Sequence, residues 1–235
     1  MMQREPSDEY QVARAIRDHK FDVLARFSGM PPSTGGTHLL ITFLPSAGTQ
    51  AAYNAALKFV SSAKEREHHF ITFASEPGRG KTHLAIGVGW AWIAIYLTPV
   101  KYWQTEQLLD AMKREFDAPR KGDYDQPIPT AFETAERVPL LILDDLGAEK
   151  GTEWATAKLQ ELIDYRYINR LPTVFTTMYA AQQLAKPIAS RLKEGVVVTL
   201  EGPDYRELLA KQRAAAETGS PSPVVNVANK KREAL

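Results

Sequence analysis

The 235-residue chain contains no cysteine, which excludes disulfides and thiolate metal sites and fits a reducing compartment such as the cytoplasm. It also lacks charge of one sign in excess. The formal net charge is +1, so no overall basic field advertises nucleic acid, and any DNA contact has to come from a local patch. Long apolar runs are missing too. The one apolar stretch, Ala85 to Leu97, falls well short of the roughly 20 residues a membrane span requires. Met1 to Tyr10 is polar and acidic rather than a basic segment followed by an apolar core. These absences lead to the expectation of a soluble cytoplasmic protein with no membrane partner. Apolar content of 44% and charged content of 24% are ordinary for a globular chain, long enough for one sizeable α/β domain with short additions.

What is present begins with Ser75-Glu76-Pro77-Gly78-Arg79-Gly80-Lys81-Thr82. This is the phosphate-cradling pattern G-x-x-x-x-G-K-[ST] with serine at its first position. Consecutive backbone N–H groups and a helix N-terminus do most of the holding in such a loop, so the serine does not exclude it. Lys81 is placed to reach the β- and γ-phosphates of ATP, and the Thr82 hydroxyl to sit on Mg²⁺. The context agrees. Phe70 to Ala74 reads as a buried strand, and Lys81 to about Leu97 as a proline-free helix carrying the loop and His83 at its start. The alternative, a Gly/Pro turn between a strand and a core helix, fits that order less well. The candidate nucleotide-binding residues are therefore Ser75 through His83.

Elsewhere, Gln11 to Phe27 carries Val12, Ile16, Phe21, Leu24 and Phe27 at roughly helical spacing, followed by a linker at Pro31 to Gly36. Thr49 to Ala63 reads as a second helix, Val100 to Trp103 as a strand, and Thr105 as the cap of a helix to about Phe116. Residues 117–131 are rich in Pro, Gly and charge and read as a surface loop. Val138 to Leu143 reads as a strand and Thr152 as the cap of a helix to about Asn169, with Thr173 to Thr177 and Val196 to Leu200 as further strands. Apolar strands alternating with helices predict a mainly parallel sheet covered on both faces. Residues 1–35 form a helical lead and linker, 36–209 the main domain and 210–235 a frayed tail.

The second chemical signal is Leu140-Leu141-Ile142-Leu143-Asp144-Asp145. A strand delivering a carboxylate beside the phosphate loop is a Walker B arrangement, with Asp144 helping to hold Mg²⁺. Asp145 can then orient or deprotonate the attacking water as a general base. Two acids ending a strand in a solvated turn would be the bland reading, and the preceding loop argues against it.

Gly78-Arg79-Gly80-Lys81-Thr82-His83-Leu84-Ala85 and Leu140 to Glu149, with Thr152-Glu153-Trp154, Tyr165-Arg166-Tyr167, Arg170 to Thr173, Ile188 to Leu192 and Glu201 to Arg206, resemble the DnaC/DnaI-type helicase loaders and their IstB-like relatives. The resemblance covers about residues 35–209. It implies an AAA+ three-layer sandwich around a five-stranded sheet, assembly-dependent ATPase activity, and a homo-oligomer in the ATP-bound state; Asp145, one methylene shorter than a Glu, adds the expectation that hydrolysis is slow. It implies a hexameric replicative helicase as partner and contact with single-stranded DNA. It makes Arg191 the arginine finger, reaching the nucleotide of a neighbouring subunit, and Arg206 the sensor-2 arginine. Where family members carry a sensor-1 Asn after two small residues, this chain has Thr176-Thr177-Met178, and a thioether cannot donate a hydrogen bond. Thr177 can take over part of that task.

Single-stranded DNA is held by cations and aromatic platforms. The candidates are Arg114, Arg120, Lys121, Arg166, Arg170 and Lys193, with Tyr102, Trp103, Tyr165 and Tyr167. Three other functions compete: an IstB-like transposition helper assembling on duplex DNA, a nucleotide-dependent scaffold that hardly hydrolyses ATP, and, last, a P-loop small-molecule kinase.

Overall fold

Three strands are buried because both of their faces are covered, and what polar side chains they carry, chiefly threonine, are buried with them. In the computed structural model, β1 (Phe70–Ala74), β3 (Leu140–Asp144) and β4 (Thr173–Thr177) are buried almost throughout. The two edge strands, β2 (Val100–Gln104) and β5 (Val196–Thr199), are only half covered. All pair in parallel in the order β2-β3-β4-β1-β5, the arrangement expected when each return runs through a helix. The structure describes residues 8–32, 38–62, 67–117, 129–147, 152–179 and 183–205. Arg206, Arg120, Lys121, most of the loop expected over 117–131 and the tail over 210–235 lie outside them.

Seven helices flank the sheet among the described residues. On one face lie α1 (Asp8–Ser28), α2 (Gln50–Ser61) and α3 (Lys81–Tyr96); on the other, α4 (Thr105–Asp117), α5 (Ala131–Arg137), α6 (Glu153–Ile168) and α7 (Lys186–Lys193). Helix α3 shows no single apolar side because it is buried nearly all round, from Leu84 to Ile93. Helix α6 starts where expected, with Thr152 Oγ1 accepting from the Ala155 N–H at 3.2 Å. No described helix is long and apolar enough to cross a membrane.

Two expectations need correction. The segment taken into the 117–131 loop ends in α5, which a capping box starts: Thr130 Oγ1 accepts from Glu133 N–H while Glu133 accepts from Thr130 N–H. The chain then turns at Val138, and β3 begins two residues later than expected. The apolar residues of α1 do not share one face. Leu24 is buried and Phe21 stacks on Trp90, whereas Val12, Ile16 and Phe27 are 60%, 64% and 42% exposed, joined by Val23. At about 100° per residue these four fall within roughly 60° of each other, centred about 120° from Phe21 and Leu24. Helix α1 thus carries apolar residues on two sides, and among the described residues only one of them is packed.

Candidate nucleotide site

The site forms where β1, β3 and β4 end, the edge at which ligands bind in open parallel sheets. Gly78 and Gly80 take φ of +79° and +93°, values that an L side chain resists. Crowding reinforces this at Gly78, where a Cβ would lie 2.0 Å from Asp204 Cγ. Ser75 is not among the positive-φ residues, so the first position of this loop demands no glycine. Its N–H donates to Thr177 O at 3.1 Å and its hydroxyl to Glu76 O at 2.9 Å. Lys81 is buried, and its ammonium donates to the carbonyls of Ser75 at 2.7 Å and Glu76 at 3.0 Å. The charge is thereby held across the mouth of the loop at the N-terminus of a 16-residue helix.

Other members of the loop serve through the backbone or not at all. Glu76 and Arg79 pair with one another at 2.6 Å, and Arg79 also reaches Leu200 O at 3.4 Å. Pro77 has no N–H to give. The His83 ring is taken up by the preceding segment: Nε2 lies 3.0 Å from Leu39 O and the ring meets Phe43 edge-on. Burial lowers the His83 pKa, which keeps this imidazole neutral.

Asp144 is the focus of the site. Its side chain is buried, and hydroxyls from three elements converge on it: Thr82 of α3 at 3.0 and 3.2 Å, Thr176 of β4 at 2.5 Å and Tyr102 of β2 at 2.7 Å. Thr105 fixes the Asp144 carbonyl at 2.9 Å. Burial, with the Asp144 charge beside it, drives the Tyr102 phenol pKa upward. Asp145 follows in the left-handed region, φ +57°, where Asp is tolerated better than most residues. Its N–H donates to Thr176 Oγ1 at 2.9 Å and its side chain is exposed. This donor set suits a triphosphate and a hard divalent cation: a glycine-shaped nest, an ammonium, and a hydroxyl beside a carboxylate.

Lys81→Ala is expected to weaken ATP binding by about a hundredfold or more, since charge-assisted bonds to phosphate contribute roughly 3 kcal/mol. Titration calorimetry with a non-hydrolysable ATP analogue reads the loss, and unchanged affinity would remove the phosphate-loop assignment.

The model of the IstB-like ATP binding protein family matches residues 42–188, more than half of the chain. The chain belongs to this family. Its ATP-binding description fits the loop and the carboxylate just described. Among curated relatives, the chromosomal replication initiator protein DnaA of Desulfatibacillum aliphaticivorans is 26% identical over 186 residues, 74% of this chain and 38% of its own. The chain spans about two fifths of the length of the curated relatives it matches. A solved structure of the DnaC helicase loader is 25% identical with a TM-score of 0.60, covering 70% of this chain and 97% of the solved chain. A solved structure of DnaI, 23% identical, covers 76% and 95% with a TM-score of 0.57. The protein is thus an IstB-like AAA+ protein with the α/β P-loop architecture of its replication relatives.

Against this family pattern, other sequence-selected residues fall as follows. Met178 is 47% exposed just past β4. Thr177 does not stand in for it, because its hydroxyl donates to Leu146 O at 2.7 Å and accepts from Tyr179 N–H. The hydroxyl that faces the site belongs to Thr176, one residue earlier, and strand alternation is the signal that finds it. Arg191 lies in the last turn of α7, at the edge where strands begin, away from the phosphate loop. It pairs with Asp164 at 2.6 Å and Glu194 at 3.3 Å, with its guanidinium 4.5 Å from the centre of the Tyr167 ring.

The DNA candidates scatter. Arg114, Arg170 and Lys193 are exposed, whereas Arg166 is 1% exposed and spends its donors on protein carbonyls and Thr173. It is a core residue. Tyr102 is committed to Asp144, and the indole N–H of Trp103 is buried, so neither is an open stacking platform.

Proposed function

We propose that this protein is a slow, assembly-dependent ATPase that loads a hexameric replicative helicase onto single-stranded DNA. The observation that carries the reading is the Thr82–Asp144 contact, 3.0 Å between α3 and the end of β3, in a chain similar to the solved chain of a helicase loader over nearly all of that solved chain. Lys81 and the backbone of residues 78–82 hold the triphosphate, and Thr82 and Asp144 hold the divalent cation, which supplies charge neutralisation at the phosphates. Asp145 orients or deprotonates the attacking water. Asp is one methylene shorter than Glu, which favours slow turnover. Arg191 serves a neighbouring subunit, and Arg206 contacts nucleotide in its own.

The side of α1 left exposed among the described residues supports a partner at this helix. Val12, Ile16, Val23 and Phe27 form an apolar stripe of the kind an amphipathic helix lays into a groove. The test is co-elution of a hexameric replicative helicase with the full chain in ATP and Mg²⁺. Asp145→Asn is expected to keep ATP affinity, lower turnover about a hundredfold as general-base losses do, and leave the helicase complex undissociated. Ile16→Glu is expected to keep ATP binding and lose the helicase. No co-elution, with ATP-dependent assembly on duplex DNA and stimulation of a transposase instead, would establish the transposition helper.

A further inference from the structure

Asp144 and Tyr102 share the sheet face covered by α3. The register pairs Tyr102 with Ile142 and Gln104 with Asp144, so Tyr102 is the diagonal neighbour of the carboxylate, two residues back on the adjacent strand. Diagonal neighbours on one face lie within reach of aromatic side chains. The phenol spans that diagonal, and its hydroxyl donates to Asp144 Oδ2 at 2.7 Å. From the other flank, Thr176 of β4 donates to Oδ1 at 2.5 Å. The carboxylate is therefore braced from both neighbouring strands, one oxygen to each side, while Thr82 approaches both oxygens from α3. A phenylalanine would fill the same space beside Val100 and Ile142 without the brace. The hydroxyl is the part of Tyr102 that packing does not require.

We propose that Tyr102 is a positioning residue for the cation site, its hydroxyl fixing the rotation of the Asp144 carboxylate so that Thr82 and Asp144 present oxygens to one divalent cation. The inference rests on the nucleotide-binding reading above. A carboxylate that can rotate about its terminal torsion presents the cation with a shifting target, and that torsion is soft. Without Tyr102, Oδ2 keeps only the longer Thr82 contact, from the hydroxyl that must itself turn to the cation; with Tyr102 each oxygen has a donor of its own on a neighbouring strand. The thermodynamic signature is specific. Losing the brace weakens only the part of nucleotide affinity that the cation contributes, and leaves the part supplied by Lys81 and the loop backbone.

The experiment measures binding of AMPPCP, a non-hydrolysable ATP analogue, to the full chain by calorimetry, once in Mg²⁺ and once in EDTA, with Mn²⁺ paramagnetic resonance as a second readout. For Tyr102→Phe the EDTA affinity is expected to equal that of the unmodified chain, while the gain on adding Mg²⁺ falls about tenfold, the loss expected for one hydrogen bond to a charged acceptor. Bound Mn²⁺ falls in step. An unchanged or larger Mg²⁺ gain overturns the proposal. So does an equal loss in Mg²⁺ and EDTA, which would make Tyr102 a structural residue only. If the unmodified chain binds AMPPCP in neither condition, the nucleotide reading itself fails, a result separate from any effect of the tyrosine.

Discussion

Arg166→Ala is expected to destabilise the fold by about 3–5 kcal/mol, because it opens a cavity and leaves several buried acceptors without a donor, at about 1–3 kcal/mol for each group left unsatisfied. For a domain of this size that is a fall in Tm of roughly 10 °C. The guanidinium is 1% exposed. Nε donates to Thr173 Oγ1 at 2.8 Å, Nη2 to Pro172 O at 2.6 Å, and Nη1 to the carbonyls of Ala135, Glu136 and Val138 at 2.8, 3.0 and 3.0 Å. Two of those carbonyls belong to the last turn of α5, the negative end of a helix. The side chain thus ties the end of α5 and the entries to β3 and β4 to α6. Burial lowers its pKa to about 9, still a cation at neutral pH, and carbonyl dipoles solvate it in place of water. Truncation leaves these acceptors facing a void. Arg166→Lys keeps the charge but not the planar fork of donors, so its melting temperature is expected between those of the unmodified chain and Arg166→Ala. Thermal denaturation followed by circular dichroism measures both. A normal melt for Arg166→Ala with a selective loss of single-stranded DNA binding would restore Arg166 to the DNA surface.

That residue also shows where sequence reading stops. The phosphate loop, the acid-terminated strand and the parallel sheet were legible because each is written in consecutive residues: apolar runs for buried strands, glycines for positive φ, an Asp at a strand end. Arg166 and Arg170 look alike in such a reading, four residues apart on one short stretch. What separates them is that α6 turns position 166 onto α5 and β4, while Arg170 sits past the helix end. The helix phase of α1 was legible but its orientation was not, because apolar residues fall on both sides and burial chose Phe21 and Leu24. The bracing of Asp144 by Tyr102 and Thr176 depends on strand order and register, which bring together residues 42 and 32 positions away. Helix α5 was written in the Thr130–Glu133 capping box, and the Pro/Gly-rich stretch before it masked that signal.

Arg191→Ala is expected to leave ATP affinity unchanged and to lower assembly-dependent hydrolysis by about a thousandfold, the lower end of the effect of arginine fingers. Its position means that any nucleotide Arg191 contacts would be a neighbour's rather than its own. Helix α7 returns from the carboxyl edge of the sheet to the start of β5, so Arg191 sits at the edge opposite its own phosphate loop. In the single chain it pairs with Asp164 and Glu194. Half-exposed pairs of this kind are worth about 0–1 kcal/mol each, little against the several kcal/mol that a finger contributes at a transferring phosphate. The guanidinium can therefore exchange Asp164 for a neighbour's nucleotide at small cost. Turnover of the unmodified chain should then rise with protein concentration, and that dependence should vanish in Arg191→Ala. Asp164→Asn, which weakens the resting pair without touching the finger, should shift the rise to lower concentration. Turnover per chain that is independent of concentration, and equal in all three proteins, would confine Arg191 to its local contacts with Asp164, Glu194 and Tyr167.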